Sequence, residues 1–438
     1  MKNKLTLWLL LLCATLSVAQ SFNSQKLDSL FSLLEENDKF MGTIALSHNQ
    51  NTIYQKSVGY ADVDNGIQAT LNTKYRIGSI SKIFTASLIF KAIEDGKLDL
   101  DQTIERFFPN VENAASISIG NLLNHSSGIH DFTRDEDYFE WNTTEQSKQK
   151  MIERISDRTP EFSPNEQSDY SNSNYVLLTF ILEKVYDQPF STILENHIIK
   201  PLKLKNTYYG KKTNIANDES YSYKYTGKWE KESETHMSVP QGAGALISNA
   251  TDLNMFIEQL FLGNIVSNTS LEQMKTIKNG YGMGLFQFPY DKKVSYGHTG
   301  GIDGFSSITG YFPEEKLAVS LTSNGTNYNN NEILLAALAT FFNDGFELPT
   351  FNKIDLSSED LDKYLGVYAT SEIPLKISIT KKDTTLFAQA TGQGAFPLDP
   401  SAENVFTFDP AGVKIEFQPS ENILILYQGG GVITFKAE

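Results

Sequence analysis

Residues 75–93 read Tyr-Arg-Ile-Gly-Ser-Ile-Ser-Lys-Ile-Phe-Thr-Ala-Ser-Leu-Ile-Phe-Lys-Ala-Ile. A polar loop, Tyr75 to Gly78, runs into Ile80 to Ile93, which is apolar on most sides and stops at Asp95-Gly96. A helix apolar nearly all round belongs in the middle of a core. Ser79 stands at its entrance and Lys82 follows three residues later, so the two share one helical face within side-chain reach. The free N–H groups of a helix N-terminus also favour a developing oxyanion. The bland alternative makes Ser79 an N-cap and Lys82 a surface lysine. A lysine inside a helix this apolar argues for a role.

Ser-x-x-Lys alone carries little weight, because it occurs three times, at Ser79/Lys82, Ser147/Lys150 and Ser378/Lys381. Ser147 lies in a solvated Gln-Lys run. Ser378 falls in a predicted strand, where positions three apart face opposite sides. Context selects Ser79.

Outward from this helix, Leu27, Leu30, Phe31 and Leu34 recur at helical spacing. Two strand-like runs follow, Met41 to Ser47 and Thr52 to Val58, around a polar His48–Asn51 turn. Helices and long polar loops fill Ser118 to about Asn264. Strands return at Val294–His298, Ser306–Phe312 and Leu317–Thr322, and a helix closes the block at Ile333–Phe342. Strands at both ends with helices between predict one α+β domain whose ends meet in a single sheet. After a linker at Pro349–Asp355, the stretch from about Asn352 to Glu438 changes character to short strands separated by turns: Leu375–Ile379, Leu386–Ala390, Val405–Phe408, Val413–Phe417, Ile423–Tyr427 and Val432–Phe435. They read as a small β-barrel or sandwich.

Two more segments bear on chemistry. Tyr170-Ser171-Asn172 precedes a helix start at Tyr175–Leu178, and in an extended segment Tyr170 and Asn172 share a side. A tyrosine acts as a base once its pKa is lowered, which a nearby lysine ammonium does. Alone, the segment reads as a turn with an Asn or Ser cap. His298-Thr299-Gly300-Gly301 ends the strand Val294–Gly297, and its glycines admit close approach of a ligand. Alone, it reads as a β-turn with a surface histidine.

The whole chain has 438 residues, with 40% hydrophobic and 21% charged residues, and a formal net charge of −16. That composition is globular, and its charge repels phosphate backbones and anionic lipid, so nucleic acid and membrane surfaces are excluded as partners. Its one cysteine, Cys13, rules out a disulfide framework or a cysteine zinc site. Lys2 and Lys4, the apolar run Leu5–Leu12 and the small residues Ser17-Val18-Ala19 read as a cleaved signal peptide over 1–19. The run is too short to span a bilayer, which takes about 20 residues. An exported protein without a membrane anchor follows, periplasmic or secreted.

Taken together, Ser79-Ile80-Ser81-Lys82, Tyr170-Ser171-Asn172 and His298-Thr299-Gly300 resemble, in order and spacing, the motifs of the serine β-lactamase and penicillin-binding superfamily. The class C branch, with its DD-peptidases, D-aminopeptidases and esterases, is the nearest match. Ile119–Gly128, Pro201-Leu202 with Asn206-Thr207, and Gly242–Ser248 agree with that branch. The resemblance spans about residues 24 to 345. It implies a β-lactamase-like domain over 20–348, an antiparallel sheet with helices on both faces plus a helical region. A small lipocalin-like barrel over 353–438 would follow.

The resemblance further implies Ser79 as acylated nucleophile activated by Lys82 and Tyr170, with the Ser79 and Gly301 N–H groups as oxyanion hole. Asn172 would hold the substrate amide and orient Lys82, while His298, Thr299 and Gly300 would bind substrate, a carboxylate among its groups. Two departures stand out. His298 replaces the lysine of class C β-lactamases, which argues against efficient β-lactam turnover, and Asn165 replaces a glycine whose left-handed geometry asparagine tolerates. No Gly-x-Ser-x-Gly elbow, His-Glu-x-x-His or phosphate loop competes, and His125, His130 and Asp131 read as a polar loop rather than metal ligands. The expectation is a cofactor-free, metal-free serine hydrolase of acyl-D-amino-acid peptides, in the manner of a DD-carboxypeptidase or D-aminopeptidase, with a β-lactamase, a carboxylesterase or a penicillin-binding sensor without turnover as alternatives. Its partner would be a small-molecule or peptide substrate. No motif bears on oligomeric state.

Overall fold

The computed structural model describes residues 22–351, 354–429 and 431–438. The signal-peptide reading over 1–19 therefore lies outside the described residues. Seven elements frame the first domain's sheet: helix α1 (Gln25–Glu36), the hairpin β1 (Phe40–His48) and β2 (Asn51–Val58), and the strands β3 (Phe286–Tyr290), β4 (Lys293–Ile302), β5 (Phe305–Phe312) and β6 (Leu317–Thr326). The order is β3-β4-β5-β6-β1-β2, antiparallel throughout. Pairing of β1 with β6, Ile44 opposite Leu321, joins the start of the chain to strands nearly three hundred residues later. The ends thus meet in one sheet, as the sequence predicts.

The sheet has helices on both faces, and β6 shows why. Its Leu317, Val319 and Leu321 alternate onto the side packed by α1, where Leu27, Leu30, Phe31 and Leu34 are buried. The smaller Ala318, Ser320 and Thr322 face the other way. On the way to β3, the chain forms α2 (Ser81–Glu94), α3 (Asn172–Tyr186) and α4 (Ala250–Phe261). Helix α4 is pinned to β1 by two buried hydrogen bonds. Asn254 Nδ2 donates to the Ala45 carbonyl at 3.0 Å, and Ser47 Oγ donates to Glu258 Oε1 at 2.6 Å. Phe256 of α4 stacks on Phe84 of α2 at 3.6 Å between centroids. Helix α2 is buried on every side from Ser81 to Phe90, as its apolar run predicts. After β6, helix α5 (Asn330–Phe342) returns to the α1 side.

Eight strands then close into a barrel: β7 (Gly366–Ala369), β8 (Lys376–Lys382), β9 (Thr385–Ala390), β10 (Phe396–Ala402), β11 (Val405–Phe408), β12 (Val413–Gln418), β13 (Ile423–Gln428) and β14 (Gly431–Ala437). Tyr368↔Ala437 and Ala369↔Lys436 make the closing seam. Alternate residues such as Ile377, Ile379, Leu386, Phe406, Ile415 and Phe435 fill the interior. Six of the strands match the short runs of the sequence; β7 and β10 do not appear among them. Strand β7 has four residues, and β10 carries Pro397 and Pro400, which withdraw N–H donors and accompany a register shift at Pro400/Ala402.

Candidate active site

Ser79 lies in a single 3₁₀ turn, Gly78–Ile80, that leads straight into α2. Two glycines bring β4 against this turn. Gly78 has φ +51°, and a Cβ there would stand 2.7 Å from the Gly301 nitrogen. A Cβ at Gly300 would stand 2.0 Å from the Ile77 carbonyl oxygen. The backbone of β4 therefore touches the residues on either side of Ser79, and Ser79 and Gly301 both line one cleft of 480 Å³. His298-Thr299-Gly300-Gly301 belongs to β4 itself, which runs on to Ile302, with Gly301 opposite Ser306. The turn reading of that segment does not hold, because the pairing with β5 continues through both glycines.

Lys82, the second residue of α2, is 0% exposed. Its Nζ has three partners, Ser79 Oγ at 3.1 Å, Asn172 Oδ1 at 2.8 Å and the Ala243 carbonyl at 2.8 Å. Burial pulls its pKa down to about 7, with the Asp131 carboxylate opposing. An amide oxygen and a carbonyl oxygen only accept, so a neutral Lys82 spends its two hydrogens on Asn172 and Ala243. Its lone pair is then left for the Ser79 hydroxyl. Asn172 is held in the required orientation by its own donors, Nδ2 to Asp131 Oδ2 at 3.0 Å and to Thr133 Oγ1 at 3.3 Å.

Tyr170 is brought to the same place by a clamp on its backbone. Arg134 donates to Asp169 at 2.6 Å and to the Tyr170 carbonyl at 3.0 Å. The ring lies on His125, 4.5 Å between centroids, and Lys82 Nζ sits 4.8 Å above its face. The expected lowering of the Tyr170 pKa is reversed. Burial raises it, the hydrogen bond with Ser79 opposes that rise, and Asp131 and Tyr281 add to it. The lysine meets the π face rather than the hydroxyl, so Tyr170 remains a phenol able to donate.

His298 also departs from expectation. It is 3% exposed, its Nδ1 faces the Thr299 carbonyl, and Phe286 packs edge-on at 4.7 Å. Burial, seconded by the Lys82 charge, lowers its pKa to about 3. The ring is neutral at physiological pH and absent from the cleft lining, so it offers a substrate carboxylate no charge. Alternation leaves Thr299 and Gly301 on the accessible face of β4, while Gly300 is buried against Ile77.

The structure thus gathers Ser79, Lys82, Tyr170, Asn172 and Gly301, with His298 behind Tyr170. Ser147 instead caps a surface helix by accepting from the Lys150 N–H, and Ser378 lies in the barrel. Sequence reasoning missed Ala243 as a lysine anchor, Asp131 as the group that fixes Asn172, and the aromatic wall of Phe132, Tyr138 and Phe139. Gly242–Ser248 and Asp131 were visible as segments, but no local pattern tells which atom faces Lys82. Among the described residues the cleft lining holds two carboxylates, Glu232 and Asp303, and no lysine or arginine. Asp303 is already paired with Arg76 at 3.0 Å. No group of three or more potential metal ligands occurs among the described residues.

The family model "Beta-lactamase" matches residues 29–341. The chain belongs to the Beta-lactamase family. Within this serine β-lactamase and penicillin-binding protein superfamily, it is 26% identical over 441 residues to "Penicillin-binding protein 4*" of Bacillus subtilis, covering 92% of this chain and 96% of that protein. The D-amino acid amidase of Ochrobactrum anthropi, solved with L-phenylalanine amide, superposes with a TM-score of 0.63 at 26% identity, over 73% of this chain and 99% of that one. An octameric penicillin-binding protein homologue from Pyrococcus abyssi gives a TM-score of 0.68 at 25% identity, over 94% of this chain and 99% of that one. The Beta-lactamase match covers the sheet and helical region, and the barrel lies outside it.

Proposed function

We propose that the chain is a serine hydrolase that forms an acyl-enzyme on Ser79 and acts on acyl-D-amino-acid amides, peptides or esters. The observation that carries this reading is Lys82 Nζ, buried and 3.1 Å from Ser79 Oγ, with a pKa near 7. Neutral Lys82 takes the hydroxyl proton as Ser79 Oγ bonds to the substrate carbonyl carbon. The Ser79 and Gly301 N–H groups receive the negative charge on the carbonyl oxygen. The proton passes from Lys82, through the Tyr170 hydroxyl, to the departing nitrogen or oxygen. Water then enters, loses a proton to the same groups, and releases the acid and free Ser79.

The cleft also supports a choice among substrates. With His298 neutral and no lysine or arginine among the described residues of the lining, a free carboxylate finds no charge partner among them. This favours an amidase or aminopeptidase pattern over a DD-carboxypeptidase, in agreement with the D-amino acid amidase likeness. The aromatic wall of Phe132, Tyr138 and Phe139 suits an apolar side chain. Export rests on the reading of residues 1–19; among the described residues no helix is long and apolar enough to cross a membrane.

A panel of D-phenylalanine amide, its L isomer, an acyl-D-alanyl-D-alanine, a neutral ester and a β-lactam, with Ser79→Ala as blank, tests the proposal. Steady-state turnover of the D-amide is expected, with weaker cleavage of the carboxylate-bearing peptide. A burst without turnover on every substrate would instead make the protein an acylating sensor.

A further inference from the structure

A second cavity, of 730 Å³, lies between the sheet domain and the barrel. Its walls come from Asn37 and Lys39 just ahead of β1, the hairpin around Tyr223–Lys231, and the barrel from Pro397 to Pro410. Glu232 and Asp303 line this cavity and the Ser79 cleft alike. The two spaces therefore adjoin at these two residues, between Ser79 and the barrel.

The charges that line the second cavity divide into committed and uncommitted ones. Lys39 and Asp409 pair across the two domains at 2.7 Å, and both side chains are largely buried. Asp303 is taken by Arg76 at 3.0 Å and by Thr235 Oγ1 at 2.7 Å. Lys224 also lines the cavity, on the exposed face of its strand opposite to Tyr223 and Tyr225, so the lining carries one lysine against the open carboxylates. Glu232, at the junction of the two spaces, and Asp399, exposed on β10, have no side-chain hydrogen bond or ion pair among the described residues. Tyr223, Tyr225, Phe351 and Phe408 surround them with aromatic surface. Open carboxylates beside aromatic faces are the chemistry that receives an ammonium on an apolar stem.

We propose that this cavity is the distal subsite of the substrate groove and binds a peptide arm bearing an ammonium group, with Glu232 and Asp399 as its counter-charges. The barrel thereby becomes part of the specificity machinery. The inference rests on the reading of Ser79 as the acylated residue, and its test separates the two.

Two peptides of equal length, sharing a D-aminoacyl end and carrying either lysine or norleucine three residues further on, are titrated calorimetrically against the full chain bearing Ser79→Ala. Because no turnover is involved, binding reports on the subsite even if the catalytic reading fails. The lysine peptide is expected to bind about tenfold more tightly than the norleucine peptide. Asp399→Asn and Glu232→Gln, each added to Ser79→Ala, should each reduce that ratio, and together bring it to about one. Equal binding of the two peptides, or a lysine preference that survives both substitutions, overturns the proposal. Hydrolysis of either peptide by Ser79→Ala during the titration would overturn the catalytic reading instead.

Discussion

Lys82 Nζ and Ser79 Oγ stand 3.1 Å apart, with the amine's other two hydrogen-bond directions occupied by Asn172 Oδ1 and the Ala243 carbonyl. This arrangement suits a neutral amine, and burial supplies one by lowering the lysine pKa to about 7. The active form in this account is deprotonated Lys82. For an uncharged substrate, kcat/KM should therefore rise with pH through about 7 and fall on the acid side. Asp131 opposes the lowering, so Asp131→Asn should move that acid limb to lower pH by about half a unit to one unit. Profiles from pH 5 to 9 on both proteins check it. A limb that does not move, or moves upward, contradicts the assignment of the titrating group.

Lys82→Arg retains a cation that does not release its proton in the working range. It should lower kcat/KM by about 10² to 10⁴-fold, the range of a lost general base. Circular dichroism and a melting curve establish whether the fold persists. Retained activity would transfer the base role away from Lys82.

At Gly78 the backbone is left-handed, and a Cβ meets the Gly301 nitrogen at 2.7 Å. Gly78→Ala should cost about 1–3 kcal/mol and push Gly301 away from Ser79. A lowered Tm together with a lowered kcat is the expected pair of results. Unchanged kcat would show that the contact of β4 with the turn does not set the site.

His298 is held neutral by burial, its pKa lowered to about 3. A peptide acid and a neutral ester should therefore show parallel pH profiles between 6 and 8. His298→Lys would bury an ammonium beside Lys82 and should lower Tm by several degrees. Profiles that diverge across that range in the native chain would restore His298 as a carboxylate reader.

His298 and Tyr170 show what the sequence leaves open. The core helix at Ile80–Ile93 was legible because an all-round apolar run is a local property, and the sheet followed from runs such as Leu317–Thr322. Burial of an individual side chain is not local. Tyr170 and His298 were both brought near Lys82 as the motifs implied, yet exclusion of water sets their protonation, and no spacing encodes it. Asp131 meets Asn172 across forty-one positions of chain, a contact made by the folding of a loop. In the barrel, Pro397 and Pro400 hid β10, because proline argues against a strand until its missing donors are seen to be tolerated.

The barrel closes a core of its own, from Tyr364 and Tyr368 to Phe435. A chain ending after Leu348 should accordingly melt cooperatively, while losing the Lys39–Asp409 pair and the barrel wall of the second cavity. Aggregation of that chain under all conditions would show the two units to be one folding unit.

The central claim, acylation of Ser79, is tested most directly by the mass of the intact chain. A brief exposure to an activated D-phenylalanyl ester, quenched in acid, should add one acyl group to the native chain, located by digestion on the peptide that contains Ser79. Ser79→Ala should gain nothing. An adduct of the same mass on Ser79→Ala, or one mapped in the native chain to Ser147, Ser378 or any other residue, would contradict the account.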